Sequence, residues 1–184
     1  MDEIIDIVDI QWNPTWTSIL KSIAHKEGIL HRVAHAHFFD KEWHMYFQKR
    51  HVSKAHFPWM LHFAIGGHVE AWEEIIDALI REWEEEIWIT LDKEILILVD
   101  TFHQQIKRPI YHLHDNEIAF DYIYEFDGNI SNLQFNDGEV ESFEKISINH
   151  LINISYEEFK KYNIVPYEFY PNIFKKIKEV LERK

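Results

Sequence analysis

Apolar positions along the chain follow two rhythms. Short runs rich in β-branched and aromatic residues recur at Ile4–Val8, His31–Phe39, Met45–Gln48, Leu61–Ile65, Ile95–Val99, Ile118–Phe126 and Val140–Ile148. Polar or turn-forming residues bound each run, so these segments predict strands. From Glu73 to Ile87 the apolar residues Ile75, Ile76, Leu79, Ile80, Trp83 and Ile87 recur at spacings of three and four, which predicts an amphipathic helix. Tyr156 to Tyr162 and Asn172 to Leu181 repeat that spacing, and Pro166 and Pro171 punctuate the segment between them. The class is therefore α/β or α+β, without internal repeat, low-complexity tract or linker. At 184 residues the chain suits one domain spanning 1–184, long enough to bury a sizeable core.

Composition narrows the setting. Hydrophobic residues make up 46% and charged residues 28%, and no apolar run approaches the roughly 18 residues a membrane span needs. The start, Met1-Asp2-Glu3-Ile4-Ile5-Asp6, is acidic where a secretory signal is basic and then apolar, and there is no cysteine. These features lead us to expect a cytoplasmic protein. With 19 Lys+Arg against 32 Asp+Glu the formal net charge is -13, which repels a phosphate backbone and argues against nucleic acid as partner. A small anionic substrate then requires a local basic patch or a bound metal to offset the protein's own field. A homodimer is an allowed assembly.

The central helix is unusually acidic: Glu70, Glu73, Glu74, Asp77, Glu82, Glu84, Glu85 and Glu86 face a single Arg81. Glu82, Glu85 and Glu86 stand at i, i+3 and i+4, on one face and near the C-terminal end, where like charge and the macrodipole both disfavour anions. Mg²⁺ or Mn²⁺ takes oxygen ligands of this kind and brings substrate phosphates with it. Ahead of the helix, Ala64-Ile65-Gly66-Gly67-His68-Val69-Glu70-Ala71 reads as a strand entering a Gly-rich turn. From Gly67 to Ile89 the order is Gly, five residues, Glu73, seven residues, then Arg81-Glu82-Trp83-Glu84-Glu85-Glu86-Ile87-Trp88-Ile89. This segment, 67–89, resembles the Nudix box, G-x5-E-x7-R-E-U-x-E-E-x-G-U with U apolar. Every charged position matches; Trp88 stands where the family has Gly.

The likeness extends to Val8-Asp9, Asn13-Pro14-Thr15, His25 through Arg32, Gln48-Lys49-Arg50, Phe57-Pro58 and Gly66 through Glu70, which resemble the Nudix hydrolases related to isopentenyl-diphosphate isomerase. The resemblance implies an α/β/α sandwich with a mixed β-sheet, the Nudix fold. It also implies Glu85, Glu86 and the Gly67 carbonyl as metal ligands, Glu82 as ligand or general base, and Arg81 paired with Glu73. An acid from outside the box often completes such sites, and Glu139 and Glu141 are the candidates here. In the isomerase the place of Gly66 carries a catalytic cysteine and histidines hold a metal; His31 and His68 stand in similar contexts, His25 in a less well aligned one. The missing cysteine opposes isomerase chemistry.

Other residues fit the same chemistry less closely. His35 and His37, like His112 and His114, alternate on one strand face as zinc ligands can, yet no clear third ligand accompanies either pair. Lys49, Arg50 and Lys54 form a small basic patch suited to substrate phosphate. The expectation is a Mg²⁺- or Mn²⁺-dependent hydrolase cleaving a diphosphate bond in a nucleoside diphosphate linked to another moiety, or in a similar small organic diphosphate. The alternative is a Nudix-fold binding or regulatory module, against which the intact Glu82, Glu85 and Glu86 argue.

One anomaly remains. There are 5 Gly and 7 Trp, where about 13 Gly are usual in a chain of this length. Trp12, Trp16, Trp43, Trp59, Trp72 and Trp88 each occupy a context in which the family usually has Gly. Restoring all six brings the glycine count near that average. The pattern fits a lineage that reads UGA as glycine, with the codon rendered here as tryptophan. Turn and cap sites of this kind favour positive φ, which is cheap for glycine only. Trp83, at an apolar helix position, reads as genuine.

Overall fold

The computed structural model describes residues 2–54, 57–62, 65–87, 91–108, 113–128, 130, 140–165 and 170–184. In chain order the elements are β1 (Ile4–Val8), β2 (Pro14–Leu20), α1 (Lys21–Glu27), β3 (His31–Phe39), β4 (His44–Arg50), β5 (Leu61–His62), β6 (Ile65–His68) and α2 (Ile75–Ile87). A 3-10 turn at Lys93–Ile95 leads to β7 (Ile97–Arg108), β8 (Leu113–Glu125), β9 (Val140–Ser147), α3 (Ile148–Leu151), α4 (Tyr156–Lys161) and α5 (Tyr170–Arg183).

The expected strands form with shifted limits. The Leu61–Ile65 run divides into β5 and β6, and Ile95 falls in the 3-10 turn, so β7 begins at Ile97 and runs on to Arg108. Two elements ahead of β3 escaped the pattern, as did the one-turn α3. β2 is largely exposed and offers no clean alternation. α1 has seven residues and is closed by Gly28 at φ 64°, whose N–H bonds the Ala24 carbonyl.

β3 organises the sheet. It pairs in parallel with β8, from His31 opposite Glu117 to Phe39 opposite Glu125. On its other side it pairs antiparallel with β6, with Ala34 opposite Gly67 and His35 opposite Gly66. β7 runs antiparallel to β8, while β4 pairs antiparallel with β5 and β9. The sheet is therefore mixed, as expected.

Alternation along β3 and β4 sorts side chains to two helical layers. Ala34, Ala36, Phe38 and Tyr46 pack with Ala78, Leu79, Trp83 and Ile87 of α2. Phe39, Met45 and Phe47 pack on the opposite face with Ile148, Leu151, Phe159 and the apolar stripe Ile173, Phe174, Ile177 and Leu181 of α5. Trp83 is fully buried, its ring centroid 3.9 Å from that of Phe38. Capping fixes one layer locally: Ser155 and Glu158 form a capping box at the start of α4.

The tryptophan sites behave as the sequence reading expects. Trp12, Trp16, Trp43, Trp59 and Trp72 have φ of 72°, 60°, 62°, 65° and 69°, the conformation that Gly28 also adopts. Trp12 and Trp43 end tight turns by donating to the carbonyls of Asp9 and Asp40. Trp16 lies within the register shift between β1 and β2, where an extra residue in this conformation forms a bulge. Trp88 lies outside the described residues, as do His112 and Glu139. Among the described residues no helix is long and apolar enough to cross a membrane.

Candidate active site

The box residues gather where β6 enters α2. Glu73 lies just before the helix and accepts a two-pronged bond from Arg81, Nε to Oε1 and Nη2 to Oε2, both 3.0 Å. Glu73 Oε2 also accepts from the Glu70 N–H at 2.9 Å, which closes the turn into α2. Arg81 completes its fork on the His68 carbonyl at 2.9 Å and on Glu82 Oε1 at 2.8 Å. The Glu73–Arg81 pair expected from the sequence thus forms, and it ties the helix to β6 through planar bidentate recognition.

The three carboxylates of the helix face different surroundings. Glu85 is mostly exposed, 3.7 Å from Arg81. Glu82 is largely buried; desolvation raises its pKa, and Arg81 opposes that rise. Its carboxylate lies against Gly67, where an added side-chain carbon would stand 2.5 Å from Oε1. A side chain at this position would push the Glu82 carboxylate away from Arg81. Glu86 is half-buried as a residue with its carboxylate turned inward, and desolvation followed by the charge of Glu82 pushes its pKa up to about 8. Lys54, Arg50 and a bond to Gln48 oppose that shift, while Oε2 is buried with no hydrogen-bond partner among the described residues. A buried carboxylate oxygen left in this state beside Glu82 fits a hard divalent cation.

A second group of ligand-type atoms lies at the neighbouring end of β3. His25 of α1, His31 of β3, His68 of β6 and Glu117 of β8 offer atoms all within 4.8 Å of one another. His25 Nε2 and His68 Nε2 are 2.8 Å apart, and Glu117 Oε1 is 3.5 Å from His31 Nε2 and 3.9 Å from His68 Nε2. The outer nitrogens are held from behind. His25 Nδ1 lies 2.9 Å from Asp115, His31 Nδ1 2.7 Å from the Ile29 carbonyl, and His68 Nδ1 3.7 Å from Glu3.

Such outer partners fix tautomer and ring orientation in histidine metal sites. Burial drives the His68 pKa well below its ordinary value and so keeps the ring neutral. Glu117, despite burial, is held down at about 2 by its bond to His31 and its other histidine and Gln104 neighbours. A buried carboxylate among three converging imidazole rings fits a divalent ion. Glu3 joins the two groups, since it also raises the Glu82 pKa by its charge.

Sequence reasoning named His31 and His68 and ranked His25 lower; the structure brings all three together. Glu117, an acid from outside the box, joins them, while Glu141 stands exposed on β9. Only the parallel register of β8 on β3 could have revealed Glu117, and no local spacing encodes it. In the basic patch, Arg50 and Lys54 act on Glu86, whereas the Lys49 ammonium lies over the Trp59 ring, 5.2 Å from its centroid.

Comparison with known proteins agrees with this arrangement. A model of the NUDIX domain matches residues 30–172. Among solved structures the chain is similar to DR0079 from Deinococcus radiodurans, with a TM-score of 0.66 at 18% identity over 94% of this chain and 98% of that one. It is similar to a MutT protein from Methanosarcina mazei Go1, TM-score 0.60 at 11% identity over 83% of this chain and 96% of that one. An Ap4A hydrolase from C. elegans, in a binary complex, gives 0.54 at 16% identity over 83% and 98%. No curated protein matches the sequence.

Proposed function

The chain belongs to the NUDIX domain family and has its fold, a mixed sheet between helical layers, and from that premise we propose that it hydrolyses a diphosphate bond with Mg²⁺ or Mn²⁺. The substrate class is a nucleoside diphosphate linked to another moiety, or a similar small organic diphosphate. The observation that carries this reading is Glu82 set against Gly67, with Glu86 near enough to feel its charge and Arg81 fixing the loop through Glu73.

Glu86, Glu85 and the Gly67 carbonyl are the proposed metal ligands, joined by Glu82. A bound divalent ion supplies Lewis acidity to a phosphoryl oxygen and lowers the pKa of coordinated water. Glu82, its pKa raised by burial and restrained by Arg81, is suited to accept a proton from the attacking water. Arg50 and Lys54, on the side of Glu86, supply the positive charge that an anionic substrate needs in so acidic a protein.

The group of His25, His31, His68 and Glu117 supports a finer kinship with diphosphate enzymes that resemble isopentenyl-diphosphate isomerase. Gly66, which offers no thiol, argues for hydrolysis over isomerisation.

The test is metal-dependent product release from a panel of nucleotide sugars, dinucleotides, nucleoside triphosphates and isoprenoid diphosphates, with Glu82→Gln as control. We expect turnover that requires Mg²⁺ or Mn²⁺ and falls by about two to four orders of magnitude in the control. A folded, metal-binding protein that turns over nothing on the panel favours the binding-module reading.

A further inference from the structure

Glu117 does not face the histidine group unaided. Gln104 of β7 lies directly opposite Glu117 of β8, and Glu117 lies directly opposite His31 of β3. Side chains paired across neighbouring strands share a face, so the three form one row across the sheet. Gln104 Nε2 donates to Glu117 Oε2. The other oxygen, Oε1, is the one 3.5 Å from His31 Nε2 and 3.9 Å from His68 Nε2. The amide therefore divides the carboxylate: one oxygen is tied to β7 and the other is turned to the imidazoles.

This bond is not ordinary strand packing. Gln104 is 8% exposed while its neighbours His103 and Gln105 stand exposed, although glutamine is a residue type found mostly at the surface. Its Oε1 is buried with no hydrogen-bond partner among the described residues, a penalty that an apolar residue of the same shape would not carry. What the apolar residue lacks is the donor. The neutrality of that donor matters as well, since among the described residues no lysine or arginine pairs with Glu117. A cation at position 104 would satisfy Oε2 but also neutralise the carboxylate, and so compete with a metal ion for it. A neutral amide satisfies one oxygen and leaves the charge for a divalent ion.

We propose that Gln104 is a positioning residue of the histidine site: by holding Oε2 it makes Glu117 a one-oxygen ligand, so that a divalent ion meets three imidazole nitrogens and Glu117 Oε1. Such a donor set suits ions of the Zn²⁺ or Co²⁺ kind, whereas the oxygen-lined box suits Mg²⁺. The role of Gln104 rests on His25, His31, His68 and Glu117 being a metal site and is independent of the hydrolase reading, whose test is turnover on the panel.

The experiment uses the full chain freed of metal by a chelator. Zn²⁺ affinity is measured by calorimetry with Mg²⁺ in excess at the box, and the visible spectrum is recorded with Co²⁺, for the starting protein, Gln104→Met and His68→Ala. We expect the starting protein to show the strong visible bands of four-coordinate Co²⁺. Gln104→Met keeps the shape of the side chain and loses the donor. It should weaken Zn²⁺ binding about ten- to a hundredfold, and its Co²⁺ bands should fade as both oxygens of Glu117 become free to reach the ion. His68→Ala should lose the bands altogether.

A bond that serves only the fold would lower the melting temperature of metal-free Gln104→Met and leave affinity and spectrum alone; that result overturns the proposal. Weak bands in the starting protein that match those of Gln104→Met overturn it too. Zn²⁺ binding at full strength in His68→Ala defeats it together with the metal-site reading of the histidine group. Should Gln104→Met fail to fold, the ¹H–¹⁵N signals of the Gln104 side-chain amide in the starting protein decide. One amide proton should lie far downfield and move on saturation with Zn²⁺, and signals that stay in place overturn the proposal.

Discussion

Replacing Trp12, Trp16, Trp43, Trp59 and Trp72 with glycine should stabilise the protein, against the usual outcome of removing large aromatic residues. All five have φ between 60° and 72°. A side chain in that region costs about 1–2 kcal/mol relative to glycine, and the greater freedom of glycine in the unfolded chain offsets about 0.5–1 kcal/mol of the relief. The net gain per strained site is therefore about 0.5–1 kcal/mol.

Some of that gain is lost locally. The Trp16 and Trp72 rings lie 6.2 Å apart, a contact worth about 0.5 kcal/mol at such exposure, and Lys49 over Trp59 is similar. Trp43 packs against the α5-side core, so its replacement is close to neutral. The five changes together should then yield about 2 kcal/mol, a rise in Tm of about 4–8 °C for a chain of this size, read by calorimetry and by urea denaturation.

Two controls separate strain from side-chain loss. Trp12→Ala keeps a Cβ in the strained region and should gain little. Trp83→Gly, which empties a fully buried helix site, should cost about 4 kcal/mol. A five-glycine protein that melts at or below the starting temperature would refute the reasoning. The intact mass of the protein from its native host bears on the same point, because glycine at these sites gives a lighter chain than the printed sequence.

Two further outcomes follow from the ion pairs of the box. Arg81→Ala leaves Glu73 and Glu82 without their shared cation and should destabilise the fold by about 2 kcal/mol; Arg81→Lys, which cannot reproduce the fork, should recover less than half of that in thermal melts. Burial raises the Glu86 pKa to about 8, above its unfolded value, so the metal-free protein should lose stability as pH rises from about 4.5 to 8. Glu86→Gln should flatten that slope in urea titrations without metal, and an unchanged slope would show that Glu86 ionises freely.

The parts of the site that the sequence showed are those whose geometry is local. Glu73, Arg81, Glu82, Glu85 and Glu86 lie within one turn and one helix, where a spacing of three or four fixes a face. Trp83, Leu79 and Ile87 likewise declared the buried side of α2. What stayed hidden depends on long-range register. Glu117 meets His31 across a parallel pairing of β3 and β8, and Asp121 meets His35 by the same pairing. His25 joins the cluster because α1 lies beside β8, with the Asn116 side chain donating to the Gly28 carbonyl. α1 itself is too short to show a period. Alternation of His35 and His37 was visible, but the carboxylate between them was not, so their spacing read as a weak zinc motif.

The acidic helix, which by its own sequence should be poorly stable near its C-terminal end, is resolved in the structure by an uneven distribution of cations. Arg81 serves Glu73 and Glu82 and reaches towards Glu85, which leaves Glu86 to Lys54 and Arg50 from the β4 side. Those two cations only moderate a carboxylate that burial still holds near pKa 8, and they are among the residues suited to a substrate's phosphates. A divalent ion at Glu86 would release them from that task. On the proposed reading, the repulsion that makes α2 costly as a helix is the same feature that would draw a metal to Glu86, and Lys54 and Arg50, relieved of that carboxylate, would be left to the phosphates of an anionic substrate.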